Sequence, residues 1–339
     1  MKLVSLKAGL LLFLCTSILF LTDVLVGSIS ISLDELLSSF AEHPDSYVSD
    51  IVWQFRLPKA TTCLLAGAAL AIGGLLMQTL FRNALAGPDV LGLSSGASLM
   101  VAFVLMLGQT SISFLTVVST NAWSQVIAAS LGGVLVFMLI IAIARFVHDN
   151  TSLLIIGLMI SAGTSSMVAM LQFVSKAEDL QTFIIWSMGS VGSTNWQEVK
   201  ILALVVGVGI GIAASQVKSL NALLLGESYA RSLGINITSS RLWLVVSTSL
   251  LAGSVTAFCG PIAFIGLAVP HLVRLVVSTA NHKILLPFAA LSGGSMLLLC
   301  DLLAHLPNQT QVLPINVITS LIGAPLVIWM IMRNKKVSV

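Results

Sequence analysis

Charged residues are scarce in this sequence. Only 9% of its 339 residues are Asp, Glu, Lys or Arg, whereas 57% are hydrophobic and the mean hydropathy is +1.04. A soluble domain carries about 25% charged residues, so this composition excludes a soluble globular protein. The length suits about ten membrane spans with short connections and leaves little for a soluble domain. We therefore expect an all-α polytopic membrane protein with a single transmembrane domain over residues 1–339.

Catalytic and metal-binding motifs are absent as well. The sequence has no GxxxxGK[ST] phosphate loop, no HExxH and no GxSxG, which excludes ATP hydrolysis and familiar hydrolase chemistry by this chain alone. Its four cysteines lie singly in apolar runs, and its five histidines are dispersed without a carboxylate cluster. We therefore expect reduced core cysteines, no metal site, no cofactor and no enzymatic activity. Arg274, His271 and Asp301 lie towards span ends, unlike the mid-membrane ionisable groups of many ion-coupled carriers.

Ten apolar runs predict ten transmembrane helices, over residues 8–26, 61–80, 90–107, 126–146, 152–174, 201–214, 242–258, 262–277, 285–303 and 315–332. Lys2 and Lys7 precede the first run as in a signal peptide, but no small-x-small cleavage site follows, so we expect an uncleaved span. Segment 28–50 is polar and is expected to form a loop. Segment 176–200 contains two tryptophans and predicts a short interfacial helix.

Lysine and arginine are distributed unequally between the two sides that these runs define. One side, with both termini, collects twelve of them: Lys2, Lys7, Arg82, Arg145, Lys218, Arg231, Arg241, Arg274, Lys283, Arg333, Lys335 and Lys336. The other side collects four: Arg56, Lys59, Lys176 and Lys200. Positive charge favours the cytoplasmic side, so both termini are predicted to be cytoplasmic. Because the basic residues are scattered singly, nucleic acid is excluded as a partner.

The stretch from Arg56 to Ser98 predicts a tight helical hairpin. Two apolar runs follow each other across a short polar turn, and the pairs Gly67/Ala71, Ala69/Gly73 and Gly92/Gly96 have small-xxx-small spacing. Such spacing lets helix backbones approach closely in lipid. We therefore expect the two helices to pack against each other, with Gly73 as a position that tolerates no large side chain.

Residues 216–241 form the longest polar segment on the predicted cytoplasmic side, and we call them the coupling segment. Glu227, Arg231 and the flanking glycines favour short helices presented to a partner protein. An ordinary solvated loop fits the same local composition, because loops commonly carry mixed charges. From the residues alone both interpretations stay open.

Five stretches resemble, in order, the motifs of the FecCD-type permeases, the membrane subunits of iron-siderophore, haem and vitamin B12 ABC importers. They are RLPKATTCLLAGAALAIGGLLMQTLFRNALAGPDVLGLSSGAS at 56–98, LLLGESYARSLGINI at 223–237, GPIAFIGLAVPHLVRLVV at 260–277, HKILLPFAALSGG at 282–294 and LIGAPLVIWMI at 321–331. The resemblance implies a type II ABC importer permease fold in a bacterial cytoplasmic membrane. It also implies a permease homodimer or heterodimer, two cytoplasmic ATPase subunits that bind ATP and Mg, and an extracytoplasmic binding protein.

The same resemblance implies a substrate class. A ferric siderophore is the expected cargo, with haem or cobalamin as alternatives. An ion-coupled secondary transporter is a further alternative from a different class, and it would lose uptake when the ion gradient collapses.

The resemblance also implies three groups of site residues. Binding-protein docking is assigned to Arg56, Lys59 and His305, the last replacing a frequent arginine of the family, so that this contact is expected to be weaker or pH-sensitive. A cytoplasmic gate is assigned to Asn83, Leu85, Thr151 and Ser152. Coupling to the ATPase is assigned to Gly226, Glu227, Ala230, Leu233 and Gly234. The alternatives are interfacial anchoring for Arg56 and Lys59 and helix capping for Asn83 and Thr151.

Overall fold

The computed structural model describes residues 2–27, 29, 31–41, 47–107, 122–144, 146–147, 150–305 and 312–334. Their helices are α1 (Lys2–Leu25), α2 (Leu33–Ala41), α3 (Tyr47–Asp50), α4 (Leu57–Phe81), α5 (Leu93–Leu107), α6 (Ala122–Ala144), α7 (Asn150–Val174), α8 (Ala177–Ser187), α9 (Trp196–Ser215), α10 (Val217–Leu223), α11 (Glu227–Ser232), α12 (Ile237–Cys259), α13 (Ile265–Val277), α14 (His282–Ala304) and α15 (Ile315–Asn334). A π-helical turn, Ile51–Arg56, precedes α4, and a 3₁₀ helix, Pro88–Leu91, precedes α5.

Each of the ten apolar runs falls on one of these helices. Seven helices are long and apolar enough to cross a membrane by length and composition, and three apolar helices are shorter: Leu93–Met106, Ile265–Val277 and Ile315–Trp329. The all-α membrane fold is thereby confirmed. The number of crossings and the side of the termini stay predictions.

Helix α4 lies at the centre of the bundle, where it packs against α9, α12, α13 and α14. Between Lys59 and Gln78 its sequence has no charged residue and is largely apolar on every face, as a helix surrounded by other helices requires. Two glycines bring its backbone into contact with its neighbours. A Cβ atom on Gly67 would lie 2.2 Å from the carbonyl oxygen of Gly293 in α14, and one on Gly74 would lie 1.6 Å from that of Gly266 in α13.

The predicted tight hairpin is wrong. Within the described residues α4 and α5 are not a closely packed pair, and α5 packs instead on α6 and α7. Arg82 (φ 50°) and Gly92 (φ 73°) adopt left-handed conformations on either side of the 3₁₀ helix, so the chain turns away from α4 before α5 begins. A Cβ atom on Gly73 would make an ordinary contact, 3.6 Å from the Thr248 methyl group, and the intolerance of a larger side chain there stays a prediction.

Segment 28–50, expected to be a loop, contains α2 and α3. Ser32 and Glu35 form a capping box at the start of α2: the Ser32 N–H and hydroxyl donate to Glu35 Oε2 at 2.8 and 2.9 Å. These bonds lower the pKa of the exposed Glu35 carboxyl, that from the Ser32 backbone having the larger effect. The S-x-x-E signal was present in the sequence. Short helices were expected in 176–200 and in the coupling segment, and α8, α10 and α11 lie there.

The cysteines are reduced in the structure, but they do not all lie in the core. Cys63, Cys259 and Cys300 are buried, whereas Cys15 is exposed on α1. Helix α1 also exposes large apolar side chains such as Leu10 and Phe13. An exposed apolar face of this kind is what a lipid-facing helix presents.

Candidate functional site

Polar side chains gather at the two ends of the central helix α4. The first group, which we call the N-end cluster, comprises Asp23, Arg56, Lys59, Asp301 and His305. The second group, which we call the C-end network, comprises Gln78, Thr79, Asn221, Arg274 and His282. The predicted topology places the N-end cluster outside and the C-end network on the cytoplasmic side.

Lys59 joins three helices in the N-end cluster. Its Nζ lies 2.7 Å from Asp301 Oδ2 in α14 and 3.4 Å from Asp23 Oδ1 in α1. The three side chains are 11%, 5% and 0% exposed, respectively, so water screens these charges little. Removing one partner of such a buried pair leaves an uncompensated charge. The ion pairs of Lys59 therefore hold α1, α4 and α14 together.

Arg56 closes the end of α1. Its Nη1 donates to the carbonyl oxygens of Val24 and Leu25 at 2.8 and 2.6 Å, and its Nη2 donates to that of Ile29. The last carbonyls of a helix have no partner inside the helix and favour a cation nearby. Arg56, which is distant from α1 in the sequence, therefore caps the C-terminal end of this helix.

His305 ends α14 beside the same charges. Its Nδ1 lies 2.8 Å from the carbonyl oxygen of Asp301 and 3.6 Å from Asp301 Oδ2. Together with Lys59 and Asp301 it lines a cavity of about 550 Å³, whose other walls are residues 185, 188–193 and 312–315. This cavity connects the N-end cluster to the surface.

The structure therefore qualifies the docking residues implied by the resemblance. Arg56 and Lys59 are 6% and 9% exposed, and both are bonded to groups of their own chain. Neither presents a free charge at the surface. Asp23 was missed, although a lone acid inside an apolar run is a signal in itself, because it needs a partner.

The expectation that no carboxylate cluster accompanies the histidines is wrong at His305. Carboxylate oxygens of Asp23 and Asp301 and the Sγ of Cys63 all lie within 4.8 Å of one another. These atoms could surround a metal ion only if the Lys59 ammonium moved away from Asp301.

The C-end network ties the end of α4 to three other elements. His282, the first residue of α14, contacts Thr79 Oγ1 through Nε2 and Asn221 Oδ1 through Nδ1, both at 2.9 Å. Arg274 in α13 donates to Gln78 Oε1 at 3.2 Å. No local sequence signal marks this network, because its members are far apart along the chain.

Two of the four residues that the resemblance assigns to a gate, Asn83 and Leu85, lie beyond the end of α4 in the turn 83–87, which we call the gate turn. Asn83 and Leu85 are exposed, and Asn83 Oδ1 accepts a bond from Leu85 N at 2.9 Å. The Asn83 side chain thus shapes the turn, while Arg82 and Gly87 are the capping residues of the helices on either side. Ser152 is exposed near the start of α7, which packs on the 3₁₀ helix after the gate turn. The side chain of Thr151 lies outside the described residues.

The coupling segment forms helices α10 and α11 with glycine at both ends of α11. Gly226 (φ 118°) and Gly234 (φ 78°) adopt conformations that other residues rarely reach. Ala230 is fully buried and anchors α11, whereas Glu227 lies 3.2 Å from Arg241 of α12. The segment exposes four large apolar side chains, Leu224, Leu225, Tyr229 and Leu233. Apolar groups clustered on a polar segment are typical of a contact surface for another protein.

Comparisons with known proteins agree on one class. A model of the FecCD transport family matches residues 14–333. The hemin transport system permease protein HmuU of Yersinia pestis is 34% identical over 336 residues, covering 98% of this chain and 96% of its own. The vitamin B12 import system permease protein BtuC of Salmonella typhimurium is 36% identical over 285 residues, covering 84% of each chain. A solved inward-facing structure of a metal-chelate type ABC transporter is 28% identical with a TM-score of 0.85, covering 96% of this chain and 99% of that one.

Proposed function

The chain belongs to the FecCD transport family, and we propose that it is the membrane permease of an ABC importer that moves a ferric siderophore into the cytoplasm. The observation that supports this proposal most directly is the structural match to a metal-chelate type ABC transporter, which covers 96% of this chain with a TM-score of 0.85. Haem and cobalamin are the alternative cargoes, because the similar permeases HmuU and BtuC are named for haemin and vitamin B12 transport. A bacterial cytoplasmic membrane is the proposed location.

Energy for transport comes from partner ATPases in this proposal. The sequence has no phosphate-binding loop of its own. Two ATPase subunits would bind ATP and Mg below a dimer of permeases. Their contact would be the coupling segment, in which Leu224, Leu225, Tyr229 and Leu233 are exposed and Glu227 pairs with Arg241.

Alternating access then follows from rigid-body movement of the permease helices. The gate turn with Asn83 and Leu85, together with Thr151 and Ser152 of α7, would close the path on the cytoplasmic side. Exposure of Asn83, Leu85 and Ser152 supports this role, since a gate must reach across to a second permease. Amide, hydroxyl and apolar groups would not trap a charged chelate as a fixed charge would.

Docking of a binding protein at the opposite end is part of the proposal. His305 and Lys59 line the 550 Å³ cavity there, so a side chain of the binding protein could reach them. Arg56 is turned towards α1 and would act by holding the local backbone. The docking surface then depends on the N-end cluster for its shape more than for free positive charge.

Charge reversal at Glu227 tests the coupling role. In proteoliposomes with the partner ATPase and binding protein, Glu227→Arg should leave two like charges facing each other at Arg241 and lower binding-protein-stimulated ATP hydrolysis by about tenfold. The matched control is Glu178→Arg, an exposed acid on α8 outside the coupling segment, which should hydrolyse ATP as the wild type does. If both variants hydrolyse ATP at the same rate, Glu227 has no role in coupling to the ATPase.

The transported compound is identified by parallel uptake assays. Labelled ferric siderophore, haemin and cobalamin are offered to the same proteoliposomes, each with its own binding protein. The proposal requires ATP-dependent accumulation of the siderophore. Accumulation of haemin or cobalamin alone would assign the alternative cargo and overturn the siderophore assignment.

A further inference from the structure

The C-end network connects the coupling segment to the end of helix α4 through hydrogen bonds that are partly buried at Asn221 and buried at Thr79. Asn221, in helix α10 of the coupling segment, accepts the backbone N–H of His282 at 2.9 Å and contacts its Nδ1 at 2.9 Å, both through Oδ1. The other ring nitrogen of His282 meets Thr79 Oγ1 in α4. A single imidazole therefore bridges the coupling segment and the central helix.

A second part of the network continues to the gate turn. Arg274 in α13 donates to the Gln78 side chain at 3.2 Å, and Gln78 donates to the carbonyl oxygen of Leu267 at 3.0 Å. The backbone carbonyl of Gln78 accepts the N–H of Asn83 at 3.2 Å. Arg82, between them, donates to the carbonyl oxygen of Leu224 in the coupling segment at 3.2 Å.

Burial on the α4 side of the network makes this part of the connection stiff. His282 is fully buried, and Gln78 and Thr79 are 3% and 1% exposed. A buried polar group that loses its partner costs free energy, so these bonds hold their geometry when neighbouring elements move. Packed interiors also move as units and do not deform gradually. Such a link would pass a displacement of α10 to the end of α4.

We propose that His282 is a positioning residue that couples movement of the coupling segment to the gate turn, with Asn221 and Thr79 as its two contacts. This proposal rests on the proposed function, because the movement it transmits is the one that partner ATPases would impose. It adds a residue outside the gate and outside the ATPase contact. Its chemistry is a neutral mechanical link, and it requires no substrate contact by His282.

Two substitutions interrupt the link at different points. His282→Phe keeps an aromatic ring of similar size without either nitrogen, and Asn221→Leu removes the acceptor from the less buried side. Asn221→Asp keeps an acceptor oxygen and serves as the conservative rescue. The control is Ser247→Ala, which removes another buried helix-to-helix bond, from Ser247 Oγ to the carbonyl oxygen of Gly209 at 2.8 Å, away from the network.

The readouts separate coupling from stability. In the reconstituted complex one measures substrate transported per ATP hydrolysed, and the reactivity of a thiol placed at the gate by Leu85→Cys in a Cys15→Ser background. For His282→Phe and Asn221→Leu we expect the transport ratio to fall about tenfold with ATP hydrolysis retained. The Leu85→Cys thiol should no longer change reactivity when nucleotide is added. Asn221→Asp and Ser247→Ala should behave as the wild type does.

The outcomes distinguish this proposal from the proposed function. If the wild-type complex shows no ATP-driven uptake, the proposed function fails. If it does show uptake but Asn221→Leu and His282→Phe keep the wild-type ratio and gate response, the link is refuted. Should His282→Phe fail to assemble, Asn221→Leu and its rescue by Asn221→Asp decide the matter alone. An equal loss in Ser247→Ala would also refute it, since any buried bond would then have the same effect.

Discussion

Neutralising Lys59 tests how the N-end cluster works. Lys59→Met keeps the length of the side chain but removes the ammonium that lies 2.7 Å from Asp301 and 3.4 Å from Asp23. Both carboxylates would then remain buried without a cation. The structure thus predicts a large loss of stability from a single methionine, although methionine is otherwise well suited to a membrane helix.

The magnitude follows from the burial. Breaking a buried ion pair by removing one partner costs about 3–5 kcal/mol, and side-chain exposures of 11%, 0% and 5% leave little solvent to reduce it. About 4 kcal/mol corresponds to a shift of roughly a thousandfold in the unfolding equilibrium. Replacing all three members with apolar residues, as Lys59→Met with Asp23→Leu and Asp301→Leu, should recover most of the loss, because apolar substitutes for a complete buried ion pair are often neutral.

The assay is reversible unfolding in mixed detergent micelles, followed by helical circular dichroism. The matched control is Lys200→Met, an exposed lysine on α9, which should change the free energy of unfolding by no more than about 0.5 kcal/mol. The reasoning is refuted if Lys59→Met is as stable as Lys200→Met. It is refuted as well if Lys59→Met leaves the stability unchanged but lowers the affinity of the binding protein for the permease. Lys59 would then serve docking and not the cluster.

Two further predictions concern backbone contacts. Gly74→Ala should destabilise the protein by about 3 kcal/mol, because its Cβ would meet the Gly266 carbonyl at 1.6 Å and separate α4 from α13. The control Gly73→Ala should cost less than about 1 kcal/mol. Equal losses of stability for the two variants in the unfolding assay would contradict this prediction. Arg56→Met should remove the cap of α1 and increase hydrogen exchange of its last turn, residues 22–25, and unchanged exchange there would show that the carbonyls do not depend on the guanidinium.

The helices themselves were predictable because each apolar run carries its own signal. Length and hydropathy located all ten runs, and each falls on a helix of the structure. Of the glycines of α4, Gly67 was recognised as a contact point, whereas Gly74, which makes the closest contact, was not. Spacing shows that a helix will be approached closely, but it does not show by which neighbour. Gly67 therefore meets Gly293 of α14 and not the adjacent helix α5.

The polar clusters could not be predicted in the same way. Lys59 pairs with residues 36 and 242 positions away, and His282 contacts Thr79 across 203 positions. No local pattern links such residues. The sequence does place Asp23 and Asp301 in apolar runs. This position shows that each acid needs a partner, but it does not identify the partner.

The central claim is that this chain forms the membrane path of an ATP-driven importer. The most direct test is accumulation of labelled ferric siderophore by proteoliposomes that contain the chain, its partner ATPase and the binding protein, with ionophores collapsing every ion gradient. We predict accumulation that requires ATP and persists when the gradients are collapsed. Uptake that continues without ATP and stops with the ionophores would contradict the account and assign an ion-coupled carrier.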